Sequence, residues 1–337
     1  NGPLYSAEAG KAAVTMKPGA PAALTVTSTD KDNISLKAED SGATMVIAMT
    51  AEQHFNSIGQ GYTYGEFGTP AGSYNVGDEI EGGGKVIYIG NTADAIGIGE
   101  LTAGKPYFFR AWSTDGQGGY SSEYLDINAV TAAELPWQPG WETAPTGENL
   151  LGWTQSTEDD LWYVNDYNEY HIVNKVNFLP EEGVAETWTE TCDIYLNEGS
   201  NWLGIDIAAN TIPVRWAADW EMAEGDQIAI QVTADGVEYK DILVLDKDNM
   251  PEYTDDEGTT KIWKNGEYVS FRKNFTDYAG QKVRLRFYVK RASKGEIDFK
   301  NIKLEGTLYG IVGTIPGLTW DDDLFLTQST DNKNLYT

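Results

Sequence analysis

Apolar side chains fall at or near every second position in short runs along the whole chain. Ala23-Leu24-Thr25-Val26-Thr27, Asn33-Ile34-Ser35-Leu36-Lys37 and Gln227-Ile228-Ala229-Ile230-Gln231-Val232 are examples. So are Lys85-Val86-Ile87-Tyr88-Ile89, Tyr107-Phe108-Phe109-Arg110-Ala111-Trp112 and Lys282-Val283-Arg284-Leu285-Arg286-Phe287-Tyr288. A period of two sets one face of a strand on a core and the other in water. Turn residues bound the runs, and long stretches with a helical period are hard to find. Many short strands at close spacing predict an all-β protein built of sandwiches.

The segment Ala133-Glu134-Leu135-Pro136-Trp137-Gln138-Pro139-Gly140 interrupts the pattern. Neither proline suits a central strand, so a domain boundary is expected between Thr131 and Pro139. The predicted organisation is a lead-in over 1–20, a first sandwich over 21–132, a larger second sandwich over 133–306, and a tail over 307–337. The chain opens on Asn1, which reads as a processed chain. The apolar and aromatic residues of Ile311–Thr337 read as the start of a further β-module.

Charge narrows the function classes. Twenty-four Lys and Arg stand against 52 Asp and Glu, a formal net charge of −28. Nucleic acid and anionic membrane attract the opposite sign, so neither is expected as a partner. No apolar run reaches the roughly 18 residues of a membrane span, so no direct membrane insertion is expected. With 41% hydrophobic and 12% aromatic residues the chain can fill real cores. Cys192 is the only cysteine, which excludes a disulfide within the chain. His54 and His171, far apart in sequence, disfavour any mechanism needing a histidine cluster.

In the first unit, Leu101-Thr102-Ala103-Gly104-Lys105-Pro106-Tyr107-Phe108-Phe109-Arg110-Ala111 resembles the L-x-x-G-x-x-Y-x-x-R-A signature of fibronectin type III domains. The resemblance implies a buried Tyr107 whose hydroxyl locks a corner. That family usually carries a Trp where Ala38 stands, and Trp112 is the expected substitute filler. The stretch Gly59–Gly90 looks like the version found in secreted proteins of Bacteroidetes-type bacteria. Gly82-Gly83-Gly84 lacks the GK[ST] ending of a phosphate loop and reads as a hairpin turn.

In the second unit, Asn201-Trp202-Leu203, Phe275-Thr276-Asp277-Tyr278-Ala279-Gly280-Gln281-Lys282-Val283-Arg284-Leu285-Arg286-Phe287 and Ile297-Asp298-Phe299-Lys300-Asn301-Ile302 occur in that order. Together they resemble the cleaved-adhesin or choice-of-anchor jelly rolls of bacterial surface proteins, relatives of MAM and carbohydrate-binding jelly rolls. The tail, with Gly317-Leu318-Thr319-Trp320-Asp321, is similar to openings in outer-membrane starch-binding lipoproteins of the same bacteria, and no ligand is carried over from it. These resemblances imply a secreted or surface-attached protein.

Four groups of residues invite chemistry. Glu158-Asp159-Asp160 is acidic, but no catalytic motif frames it, and solvated loop charge is the default reading. Asp246-Lys247-Asp248-Asn249-Met250-Pro251 has part of the EF-hand spacing. Met250 and Pro251 occupy positions that need an oxygen ligand and a glycine, so an acidic hairpin loop is expected. Jelly-roll relatives often hold a structural Ca2+, and here the resemblance points to Glu134 and Asp298. Aromatics are dense between Trp137 and Tyr170. Trp153 and Trp202 are expected in the core. Trp162, Tyr163, Asp166, Tyr167 and Tyr170 form the expected ligand site, where rings meet the CH faces of a sugar and short polar groups meet its hydroxyls.

The function expected is non-catalytic adhesion or glycan recognition, with an extracellular glycan or a host or bacterial surface protein as partner. The net charge favours neutral over sulfated or uronic glycans. The accessory part of an extracellular glycoside hydrolase or protease, and a structural spacer, are the alternatives.

Overall fold

The structure, a computed structural model, describes residues 17–39, 44–51, 54–55, 62–63, 67–91, 95–141, 150–156, 162–165, 169–176, 185–211, 224–254, 260–262, 266–291, 295–306, 309–311 and 324–326. The fold is all-β. Its first unit contains β1 (Ala23–Thr29), β2 (Ile34–Glu39), β3 (Thr44–Thr50), β4 (His54–Phe55), β5 (Tyr62–Thr63), β6 (Lys85–Gly90), β7 (Ile96–Ile98), β8 (Pro106–Thr114) and β9 (Leu125–Val130). A three-stranded sheet, β1-β2-β7, faces a four-stranded sheet, β6-β3-β8-β9. Leu24, Ile34, Leu36 and Ile98 from one sheet meet Met45, Ile47, Tyr107, Phe109 and Ala129 from the other in one core.

Tyr107 is 7% exposed. Its hydroxyl accepts the Thr102 backbone N–H at 2.8 Å, which ties the corner before β8 to the strand. Tyr107→Phe is expected to remove about 1 kcal/mol of stability. A denaturant midpoint equal to wild type would show that the bond does not matter. Ala38 lies in this core, as expected, but Trp112 does not fill the space beside it. Trp112 points to the opposite face of the four-stranded sheet, because Tyr107, Phe109 and Ala111 take the inward positions of β8. There it packs with Val46, Ala48, Ile80, Val86 and Tyr120, and Phe67 and Tyr74 close the far side. The cover includes the turn at Gly82-Gly83-Gly84, where φ values of +94°, +124° and +93° demand glycine.

The second unit contains β10 (Ala133–Glu134), β11 (Thr154–Gln155), β12 (Trp162–Asn165), β13 (His171–Val176), β14 (Ala185–Glu190), β15 (Ile194–Tyr195), β16 (Asn201–Thr211) and β17 (Gln227–Thr233). It continues with β18 (Lys240–Asp246), β19 (Glu252–Thr254), β20 (Thr260–Ile262), β21 (Val269–Asn274), β22 (Lys282–Arg291) and β23 (Gly295–Gly306). The tail adds a pair, β24 (Tyr309–Ile311) and β25 (Leu324–Leu326). A 3-10 turn at Thr276–Tyr278 leads into β22. No helix among them is long and apolar enough to cross a membrane.

A seven-stranded sheet is centred on β22, which pairs with β14 and β15 on one side and β17 on the other. It packs on a five-stranded sheet, β12-β13-β23-β16-β21. The strict alternation of β22 sends Val283, Leu285, Phe287 and Val289 inward. In β23 the two isoleucines of Ile297-Asp298-Phe299-Lys300-Asn301-Ile302 are five residues apart, a spacing that puts them on opposite faces of a regular strand. A bulge at Asn301, with φ +51°, shifts the phase so that both are buried. Rings run through this core in series. Trp137 stacks on Trp153, Trp153 on Phe287 at 5.5 Å, Phe287 meets Phe299 edge-on, and Phe299 stacks on Trp162 at 5.9 Å.

Only Thr131 and Ala132 separate β9 from β10, and both are fully buried. Thr131 Oγ1 donates to the Thr102 carbonyl at 2.6 Å, and the Ala132 N–H donates to the Asp30 carbonyl at 3.0 Å. One residue on, the Ala133 N–H donates to the Asp193 carbonyl of the second unit at 2.8 Å. Side chains extend the joint. Asp193 accepts from Arg284 Nε at 2.6 Å, Lys282 Nζ at 3.1 Å and Thr29 Oγ1 at 3.2 Å, and Tyr195 donates to Asp30 at 2.8 Å. Gly152, at φ +74°, leaves room for Val130: a Cβ there would lie 2.4 Å from Val130 Cγ2.

Candidate functional site

The outer face of the five-stranded sheet collects the chemistry of the second unit. Inward positions of its strands are apolar: Trp162, Val164, Ile172, Ile205, Ile207, Ile297 and Phe299. Alternation therefore turns Tyr163, Asp206, Asp298 and Lys300 outward. Strand register aligns them across the sheet. Tyr163 lies opposite Val173, Val173 opposite Asp298, and Asp298 opposite Ala208. Tyr268, the residue before β21, extends that row, since the next residue, Val269, pairs with Ile207. The neighbouring row is Asn165, His171, Lys300, Asp206 and Ser270.

The polar groups are held in place by one another. Lys300 Nζ lies 4.1 Å from the Tyr268 ring centroid and 2.8 Å from Glu169 Oε2. The two oxygens of Asp206 each accept at 2.6 Å, one from Ser270 Oγ and one from Asn301 Nδ2. Each carboxylate oxygen has a second lone pair, so Asp206 retains capacity for a ligand hydroxyl. Burial, then the charges of Asp298 and Glu169, push the Tyr268 phenol well above its ordinary pKa. Its hydroxyl stays protonated and remains a donor. Arg272 lies over the Trp202 ring at 4.6 Å at one end of the same face.

The expected ligand residues divide. Trp162 is 1% exposed and belongs to the core, because β12 has Trp162 and Val164 on its inward side. It cannot present a ring to a ligand, and that expectation is corrected. Tyr163, half-buried, belongs to the outer face, and Tyr170 is 44% exposed at the hairpin beside Asn165 and His171. Asp166 and Tyr167 lie outside the described residues, as does Glu158-Asp159-Asp160. Trp153 is packed against the core, whereas Trp202 stands on the outer face, one position out of phase with the buried Leu203.

The calcium pair does not assemble. Glu134 sits in the seven-stranded sheet and pairs with Lys31 at 2.6 Å, while Asp298 sits in the middle of the five-stranded sheet. Trp137 bridges to Leu304, which stands six positions, about 20 Å of strand, from Asp298 along β23. Among the described residues no group of three or more His, Cys, Asp or Glu is placed to hold a metal ion. Burial and the Asp193 charge push the Cys192 thiol up to about 12, so the thiol stays protonated and inert at neutral pH.

Sequence reading missed Asp206, Tyr268, Ser270 and Lys300. A signal was present: in Leu203-Gly204-Ile205-Asp206-Ile207 and Ile297-Asp298-Phe299-Lys300 polar residues alternate with apolar ones, which marks an outward face. That these faces adjoin depends on pairing between strands about 60 to 130 positions apart, as in Asp206 with Ser270 and Val173 with Asp298.

The fold and this face define an all-β, two-sandwich protein with a ring- and carboxylate-bearing sheet surface. No family model matches the chain, and no curated protein gives a match. Among solved structures it is similar to a carbohydrate-binding module in complex with β-1,4-galactotriose, at 14% identity over 50% of this chain and 95% of that one, TM-score 0.32. It is similar to the K1 cleaved adhesin domain of Lys-gingipain from Porphyromonas gingivalis, at 13% identity over 49% of this chain and 97% of that one, TM-score 0.32. A carbohydrate-binding module described for specific mannan recognition is similar at 13% identity over 45% of this chain and 86% of that one, TM-score 0.30. None of these similarities assigns a ligand to this chain.

Proposed function

We propose that the chain is a non-catalytic glycan-binding or adhesion segment of an extracellular or cell-surface protein. In this reading the second unit binds a neutral glycan on the outer face of its five-stranded sheet, and the first unit is a fibronectin type III-like partner. The observation that carries it is the accessible part of this face, where Tyr268 stands beside Lys300, Asp206 and Ser270; Val173, Asp298 and Ala208, between Tyr163 and Tyr268, are buried. Rings meet sugar CH groups, and Asp206 and the Tyr268 hydroxyl meet sugar hydroxyls. A secreted origin and a Bacteroidetes-type source belong to the same proposal.

Binding through one or two rings is weak, with dissociation constants from about 1 mM to 1 μM. A neutral-glycan array followed by calorimetry tests the proposal. Tyr163→Ala and Tyr268→Ala are each expected to weaken binding about tenfold, ~1.4 kcal/mol. Failure of every neutral glycan to bind removes the reading. The tied joint then favours the spacer, since buried Thr131 and Ala132 leave no slack between the units.

A further inference from the structure

The first unit carries a groove outside the face described above. Its floor is the outer face of β8, where Arg110 and Trp112 point away from the sandwich core. One wall is Phe67–Ala71, and the other is the β8–β9 hairpin from Gly118 to Tyr124. The cavity measures about 450 Å³. That is room for one or two pyranose rings, within the range of small-ligand sites.

The walls are fixed to each other. Tyr120 donates its hydroxyl to the Gly72 carbonyl at 3.0 Å. Gly118, at φ +89°, abuts Gly72 so closely that a Cβ would lie 3.1 Å from the Gly72 Cα. The groove is therefore formed before any ligand arrives.

Arg110 is set as a donor. Asp126 accepts from its Nε at 2.6 Å and from one Nη at 2.7 Å, which leaves the second Nη unengaged. The guanidinium is clamped between rings, 3.7 Å from the Tyr124 centroid and 4.9 Å from that of Phe67. Tyr124 itself is 46% exposed. Lys17 adds a second cation to the lining. The carboxylates beside it are already engaged: Asp126 by Arg110, and Asp115 by the Gln117 and Gly119 backbone N–H groups. The lining thus offers donors, two cations and an exposed ring.

We infer that this groove binds an acidic sugar, its carboxylate on the free Arg110 edge and on Lys17, its CH face on Tyr124. A carboxylate only accepts, which matches a donor-rich lining. The chain's net charge of −28 opposes this from a distance. At physiological salt, charges beyond about 8 Å are screened, and the local cations decide. The site lies on the first unit and stands apart from the neutral-glycan reading of the second.

Calorimetry of the full chain in 150 mM salt, with β-1,4-linked triglucuronate and with cellotriose as probes, tests this inference. The two differ only in carboxylate against hydroxymethyl at C6. Triglucuronate is expected to bind at least tenfold tighter than cellotriose to the first unit. Tyr124→Ala, a change at a largely exposed residue, is expected to weaken triglucuronate about tenfold, and Arg110→Lys to do the same by removing the planar fork. Tyr163→Ala is expected to leave triglucuronate binding unchanged. Shifts of the Gly118, Gly119 and Ser122 amide resonances on titration locate the ligand independently of stability. No triglucuronate binding, equal binding of the two probes, no effect of Tyr124→Ala, or loss on Tyr163→Ala would each overturn the inference.

Discussion

Trp162→Ala will destabilise the second unit by about 3–5 kcal/mol, the usual cost of removing a large buried ring. The indole is 1% exposed and stacks on Phe299, which in turn meets Phe287. The cavity opens at the end of the ring series, against Phe299, whose own contact with Phe287 keeps it from collapsing into the space. Guanidinium unfolding followed by tryptophan-independent circular dichroism reads the loss. Glycan affinity, measured where the variant is still folded, is expected to stay within a factor of two or so of wild type, since the ring never reaches the surface. A variant of unchanged stability that fails to bind would place Trp162 on the ligand side after all.

Asp193→Ala ranks second, at about 2–3 kcal/mol. That is below the ~3–5 kcal/mol of breaking a fully buried pair, because Arg284 is 43% exposed and is partly solvated once stranded. Burial raises the Asp193 pKa, and the hydrogen bonds and charges of Arg284 and Lys282 more than reverse it, so the carboxyl ends below the usual range. Asp30 is lowered as well, chiefly by the Lys31 backbone N–H and by Tyr195. A carboxyl depressed on folding contributes stability that is complete above its unfolded pKa of about 4 and is lost as pH falls through its folded value. Acidification below about pH 4 should therefore loosen the joint in wild type. In Asp193→Ala that part of the acid sensitivity should be missing. Small-angle scattering across an acid titration shows both effects as the onset of expansion, and identical curves for the two proteins would count against the role given to Asp193.

The strands were legible because their period of two is physical. In Lys282–Phe287 polar and apolar residues alternate, and burial keeps the same alternation through to Arg291. Phase was harder to read. Trp162 and Tyr163 are adjacent and both aromatic, so composition alone gives no reason to send the first inward and the second outward. The inward position is fixed by Val164 and by pairing with β13. Trp112 and Trp202 went astray for the same reason: a large ring suits either a core or a face lined by arginine. Trp112 ends in a second buried cluster with Arg110 near its ring, and Trp202 ends on the outer face under Arg272. The face itself was the least legible part. Tyr163, Asp298 and Tyr268 come together only through strand order, which local sequence does not encode.

The buried Thr131-Ala132 connection has a consequence for binding to long polymers. Two modules on a flexible tether meet a polymer with an effective concentration set by chain statistics. Here tether length drops out, and packing at Gly152 and Val130 sets the separation of the two units' outer faces. A polysaccharide bound to one unit reaches the other only when its own repeat matches that fixed span. The avidity gained is then a sharp function of oligomer length, absent for short chains and abruptly present once the span is covered. On the proposed two-site reading, the joint would make the protein a gauge of polymer length as well as of sugar chemistry.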